Sequence, residues 1–361
     1  MKVSRLITVC VCFLLYALLR YPQEMLQASA KGFSLWFSTV LPSLFPFLAA
    51  TGILLRMGVA EILGRFLQPL MSPLFGVSGI CAFPFVSGLL SGYPAGAKAT
   101  AMLYETHQLS LSEAQKVLRF CNNPGPLFII GTVGTGFLGN AGFGYALLLA
   151  TSCGAILTGI CFRSVPSAPI LSNIRSQPKK EPFFPLFSNA VTDALFTCAQ
   201  IGGCLVFFCV CSEALLQSGF LSLLARGFHW LPVSEAFLQA AVSGCLEMTN
   251  GAFQFSTAPD NLRLRLSATA ALLSFGGLSI LGQTCSVLQS VPIRFRAYLG
   301  AKCCNAGFSA LLMYGLFPFF ETCTQKAVPV FSAHTATAFP LLFSVFAFCL
   351  LWITLRMLVK H

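Results

Sequence analysis

The chain is short of charge. Only 9% of its 361 residues are Asp, Glu, Lys or Arg, against roughly 25% in a soluble globular domain. It also lacks compact catalytic signatures. GxSxG, HExxH, Walker-type loops and Asp-rich metal motifs are all missing, so nothing pairs a nucleophile with its base or cradles a phosphate, and an enzyme is not expected. The 16 cysteines contain no CxxC pair, which argues against a zinc site or a disulfide framework. His107, His229, His334 and His361 have no metal-ligand spacing. No metal or cofactor is therefore expected. The net charge of +11 comes from bases scattered between apolar runs (Arg56, Arg65, Arg163, Lys179, Lys180, Arg294, Arg296, Lys302). That is the positive-inside pattern of membrane proteins. There is no basic stripe with interleaved aromatics, so nucleic acid is not an expected partner.

What the chain has in quantity is apolar length. It is 56% hydrophobic, with a mean hydropathy of +0.79. Leu6–Leu19, Phe33–Leu55, Phe143–Phe162, Ala194–Leu216, Ala306–Phe320 and Phe339–Leu355 each approach the ~20 residues that cross a bilayer. Cysteines within these runs behave as small hydrophobes. The expectation is an all-α polytopic membrane protein with the lipid bilayer as its surroundings. The first run follows Lys2 and Arg5 like a signal sequence. Arg20, Tyr21 and Pro22 come next instead of a small-residue cleavage site, so residues 1–31 read as a retained anchor.

Two polar stretches divide the chain. Residues 163–190 hold Pro166, Pro169, Pro178, Pro182 and Pro185 with several bases and read as an extended linker. Residues 321–361 read as a second linker and a last transmembrane helix. The bases of the first linker, with Arg356 and Lys360, favour a cytoplasmic linker and C-terminus. Between these boundaries lie two segments, 32–162 and 191–320, that can be laid over each other. Leu44-Phe45 matches Leu195-Phe196, Ser87-Gly88 matches Ser243-Gly244, and Gly125-Pro126-Leu127 matches Gly276-Gly277-Leu278. The order is the same and the offsets agree to within a few residues. An odd number of crossings in each repeat would invert the halves, a common plan of secondary transporters.

Each half breaks its own helices. S87GLLSGYPAGAK98 and N122NPGP126 interrupt the first, and S243GCLEMTNG251 and F275GGLSILGQ283 interrupt the second. Irregular backbone at membrane depth is tolerated only where it is buried in protein or lines a water-filled cavity. Paired breaks in two halves point to a transporter's binding site. In the first break, Ser91 and Tyr93 bring hydroxyls. A half-helix starting near Ala95 offers free N–H donors to an anion, and Lys98 lies one turn on; the alternative is a lysine that snorkels to the interface. Asn122 and Asn123 offer two amides, more than one helix cap would use. In the second half, Thr249, Asn250 and Gln283 occupy comparable positions. Glu247 is an acid within an apolar segment, an expected proton or cation site or a partner for Lys98. Ser110-Leu-Ser-Glu113 has the form of a capping box opening a short helix. G131TVGTGFLG139 reads as close helix packing through small residues.

On LPSLFPFL (Leu41–Leu48), SGYPAGAK (Ser91–Lys98), FCNNPGPLFIIGTVG (Phe120–Gly134) and the TNG and FGG echoes of the second half, the chain resembles the YlbJ-type (SpoVV) sporulation integral membrane proteins of spore-forming Firmicutes. These carry duplicated nucleoside-recognition (Gate) domains, and the resemblance runs from Gly32 to Tyr314. It implies that 32–162 and 191–320 are Gate-like repeats and that the substrate sits at their interface. It also implies transport of dipicolinate, a small planar aromatic dicarboxylate, across the outer forespore membrane during sporulation. Ser91, Tyr93, Lys98, Asn122, Asn123, Thr249, Asn250 and Gln283 are the expected substrate-binding residues, with Glu247 for ion or proton coupling. Without an ATP-binding module, transport is expected to be facilitated or ion-coupled. The alternatives are a transporter of nucleosides or other organic anions, and a membrane scaffold for the spore envelope in which the breaks only set helix packing.

Overall fold

A computed structural model of the protein describes residues 2–163, 182–227 and 230–325. Every regular element among them is helical. The chain forms two compact units, Met1–Leu316 and Phe317–His361. Both repeat segments fall in the first unit, apart from the last few residues of 191–320. The expected last span, Phe339–Leu355, and most of the expected linker lie outside the described residues.

The entry helices are α1 (Lys2–Arg20) and α2 (Pro22–Leu35), bent by 107° where Tyr21 and Pro22 intervene. A π-helical turn, Trp36–Val40, leads into α3 (Leu41–Arg56). Then α4 (Val59–Phe75) turns back through the left-handed Gly58, at 85° to α3. A 3-10 turn (Gly79–Cys81) opens α5 (Ala82–Ser91), which the first break separates from α6 (Ala95–Glu105). Next comes α7 (Leu111–Cys121), whose start is the expected capping box: Ser110 and Glu113 exchange side-chain and backbone hydrogen bonds. A π-helical stretch, Leu127–Phe137, and α8 (Ala141–Cys161) complete the first half.

The second half runs α9 (Phe183–Gln217), α10 (Phe220–Gly227), α11 (Glu235–Leu246), α12 (Met248–Thr257), α13 (Leu262–Phe275), α14 (Gly277–Val287) and α15 (Phe295–Gln325). It follows the element order of the first half from α3 to α8. The helix α9 starts at Phe183, inside the segment read as linker. Pro185 sits in its first turn, where a missing N–H costs nothing, and the apolar residues around it extend the helix. Among the described residues, Ala141–Cys161, Phe183–Gln217, Leu262–Val287 and Phe295–Phe320 are each long and apolar enough to cross a membrane, and taking each of the two bent pairs as one span raises that number to as many as six. Leu19, Phe66, Phe184, Phe196 and Leu311 are each more than 70% exposed. Large apolar side chains facing outward in this way suit acyl chains and not water. The protein is an all-α polytopic integral membrane protein.

Local geometry recurs between the halves. Ser78 and Ser234 precede α5 and α11 with the same backbone conformation (φ −66°, ψ 156° and φ −67°, ψ 155°). Each N–H donates to a carboxylate at the start of the helix after next: Ser78 to Glu113 at 3.2 Å and Ser234 to Asp260 at 2.9 Å. Glycine supports the breaks in both halves. A Cβ on Gly88 would fall 1.7 Å from the carbonyl oxygen of Cys121, and Gly96 approaches the same atom. Gly244 and Gly251 meet each other and Leu272 in the same way. Small residues at these crossings let backbones approach closely enough to pack in a membrane, where the hydrophobic effect does not drive helices together.

The halves share their interior. Leu44, Leu48 and Ala49 of α3 pack on Ala194, Cys198 and Ile201 of α9. Arg56 and Asp193 tie the same two helices by an ion pair at 2.7 Å. A larger core joins Met71, Phe75, Phe83 and Phe120 of the first half to Leu281, Leu288 and Tyr298 of the second.

Candidate functional site

The four breaks converge. In the first half, α5 ends at Ser91 because Gly92 takes φ 90°, and Pro94 precedes the new start at Ala95. The loop packs against the second break, since a Cβ on Gly92 would lie 2.5 Å from the backbone nitrogen of Gly125. In the second half, Glu247 interrupts α11 and α12 with extended backbone, and the left-handed Gly276 separates α13 from α14. Gly277 approaches the carbonyl oxygen of Gly244 as Gly92 approaches Gly125.

Between the breaks lies a cavity of about 100 Å³. Ser91, Tyr93, Pro124 and Gly125 come to it from the first half, and Glu247, Thr249, Ile280 and Gln283 from the second. Leu44 and Phe47 of α3 and Ile201 and Leu205 of α9 supply apolar walls. A mostly apolar hollow with a few converging polar groups is the usual form of a small-molecule site.

Five of the nine residues expected from the sequence thus meet at one cavity: Ser91, Tyr93, Thr249, Gln283 and Glu247. The other four lie elsewhere. Lys98, half-buried on α6, lines a separate hollow with Asp193, Thr197 and Gln200 of α9. One turn into the half-helix, its stem leaves the break and runs toward α9. Asn250 accepts a hydrogen bond from Lys31 at 3.1 Å, because it sits on the first turn of α12 facing α2. Asn122 and Asn123 are buried behind the cavity.

Glu247 caps a helix. Its two carboxylate oxygens accept the backbone N–H groups of Thr249 (3.1 Å) and Asn250 (2.8 Å). The anion that suits the N-terminus of α12 is therefore already on the chain. Among the described residues no ion pair links Glu247 to Lys98.

Behind Tyr93 is a buried polar network that the sequence reading missed. Lys302, placed by that reading among the loop bases, stands within α15 and is fully buried. Its ammonium donates to Tyr93 Oη at 3.0 Å and to the backbone oxygen of Asn122 at 2.9 Å. Tyr93 Oη in turn donates toward the carbonyl oxygens of Leu273 (2.8 Å) and Ser274 (3.1 Å). The Asn122 amide donates to Thr284 Oγ1 at 2.9 Å and Tyr298 Oη at 3.0 Å, while its Oδ1 is buried without a protein partner. Asn123 donates to Phe120 O at 2.7 Å and accepts from Asn305 at 3.4 Å.

A lysine at the bilayer centre costs about 2.5–3.5 kcal/mol on insertion scales. Two hydrogen bonds to a charged donor are worth about 1.5–3 kcal/mol each, enough to offset that cost. The signal for this network is in the sequence. Tyr298, Lys302, Asn305 and Ser309 recur at spacings of four, three and four, one face of a helix. An apolar run that starts at Ala306 leaves Lys302 outside it.

Comparison with known proteins bears on this geometry. Residues 37–166 match the Gate family, described as nucleoside recognition. They extend from the turn before α3 past the end of α8 and include both breaks of the first half. Over 324 residues, the chain is 29% identical to the sporulation integral membrane protein YlbJ of Bacillus subtilis (strain 168), covering 83% of this chain and 79% of that protein. No solved structure matches.

Proposed function

We propose that this Gate-domain membrane protein, similar along most of its length to a sporulation protein, is a transporter serving spore formation. Its substrate is the small aromatic dicarboxylate dipicolinate, moved across the outer forespore membrane without catalysis. One observation carries the reading. Broken helices from both halves line one cavity, with Ser91, Tyr93, Thr132, Thr249, Gln283 and the Glu247 carboxylate as its polar residues. A scaffold needs packed crossings but has no use for polar side chains around a hollow. The apolar walls suit a ring, and the Ser91 hydroxyl and Gln283 amide suit carboxylate oxygens. The Lys302 ammonium, one hydroxyl behind the lining, adds positive potential. The choice of dipicolinate comes from the motif resemblance, and two inverted repeats rocking about the cavity would give alternating access.

A second reading has its own support. The lining includes the Glu247 carboxylate and not Lys98, which favours a neutral solute such as a nucleoside over a dianion. The deciding experiment is uptake by proteoliposomes carrying the purified full-length protein. Saturable accumulation of labelled dipicolinate, unaffected by excess nucleoside, is the expected result. Accumulation of nucleoside alone transfers the site to the second reading. Absence of either uptake, with the protein folded and inserted, removes the transport proposal in favour of a scaffold.

A further inference from the structure

Two helices end at the same place. α7 stops at Cys121 and α13 at Phe275, and helix C-termini carry partial negative charge on carbonyls left without intrahelical partners. The oxygens gathered there are those of Asn122, Leu273 and Ser274, with Tyr93 Oη between them. In transporters built from discontinuous helices, unwound carbonyls and half-helix C-terminal ends hold the coupling Na⁺ or proton. Here that position is taken by Lys302. Its Nζ, fully buried, bonds to Asn122 O and Tyr93 Oη, and no ion pair joins it to a carboxylate among the described residues. The Tyr93 proton points to Leu273 and Ser274, so the hydroxyl can only accept from the lysine.

We infer that the cation of this site is part of the chain: the Lys302 ammonium fills the place an alkali cation would take, and the protein needs neither Na⁺ nor K⁺ to hold its breaks together or to turn over. The structural half stands on the geometry alone, and the turnover half rests on the transport reading. α8 packs at the same level, with Gly154 against Asn305 and Ser309. Lys302 of α15 delivers the charge.

The test is thermal melting of the purified full chain in NaCl, KCl or choline chloride at equal ionic strength. Wild-type protein is expected to melt at one temperature in all three. Lys302→Ser, which removes the ammonium and opens space before the oxygens, should melt lower in choline and regain on the order of 2–4 °C in Na⁺ or K⁺. Lys302→Met, which refills that space with an apolar chain, should regain nothing. A saturable, Na⁺-specific rise in wild-type melting overturns the inference, as does a Lys302→Ser protein indifferent to salt identity. If the serine variant does not fold, the wild-type melts decide the structural half. Wild-type uptake equal in Na⁺ and choline to within about twofold supports the turnover half, and its loss in choline overturns it. Melting requires no transport activity, so its outcome is independent of the uptake result.

Discussion

Tyr93→Phe isolates the contact on which the join between the halves depends. The substitution removes one oxygen and leaves the ring in place. That oxygen accepts from Lys302 at 3.0 Å and donates to Leu273 O at 2.8 Å, with Ser274 O at 3.1 Å. A neutral hydrogen bond contributes about 0.5–1.5 kcal/mol and one to a charged group about 1.5–3 kcal/mol, so the loss should be about 2–4.5 kcal/mol. At about 1.3 °C per kcal/mol for a chain of this length, melting should fall by roughly 3–6 °C. Much of that cost is the ammonium left with Asn122 O alone, which gives the test its specificity. In the background of Lys302→Met there is no buried charge to orphan, so Tyr93→Phe should cost about 1.5–3 kcal/mol less than in wild type. Detergent-solubilised protein followed by thermal unfolding of all four members of the cycle measures both quantities. A single mutant within about 0.5 kcal/mol of wild type, or a cycle whose terms simply add, would refute the claim that Lys302 and Tyr93 act as one unit.

Two further outcomes follow from the geometry. Glu247→Gln keeps an oxygen to cap α12 but removes a negative charge from the cavity lining, so it should cost no more than about 1 kcal/mol of stability. It should also improve capture of a dicarboxylate at low concentration, because like charges about 6 Å apart repel by roughly 3 kcal/mol at an effective dielectric near 20; unchanged or weaker dipicolinate uptake would count against a dianion in this cavity. Gly88→Ala places a methyl 1.7 Å from Cys121 O and should abolish recovery of folded protein, whereas Gly131→Ala, with nothing within 4 Å of its Cβ, should be tolerated; equal yields would show that the α5–α7 crossing is not tight.

Much of this protein was written plainly along the chain. Membrane class follows from composition, because 9% charge and long apolar runs cannot make a water-soluble surface. The breaks were equally legible, since Gly92, Pro94, Pro124 and Gly276 interrupt helices by local stereochemistry that needs no tertiary partner. The capping box at Ser110 was visible for the same reason. Tertiary structure decided which side chains meet. Lys98 sits in the most distinctive motif yet faces α9, since which neighbour packs against that face of α6 is set by the tertiary fold and not by the motif. Lys302 sits in no motif and yet enters the centre. Nothing local records that α15 passes behind Tyr93, a contact spanning 209 residues of sequence. Glu247 caps α12 through N–H groups only two and three residues on, a local device, and the fold decided that this cap borders the cavity. Local chemistry set where the backbone bends, and long-range packing set what each bend faces.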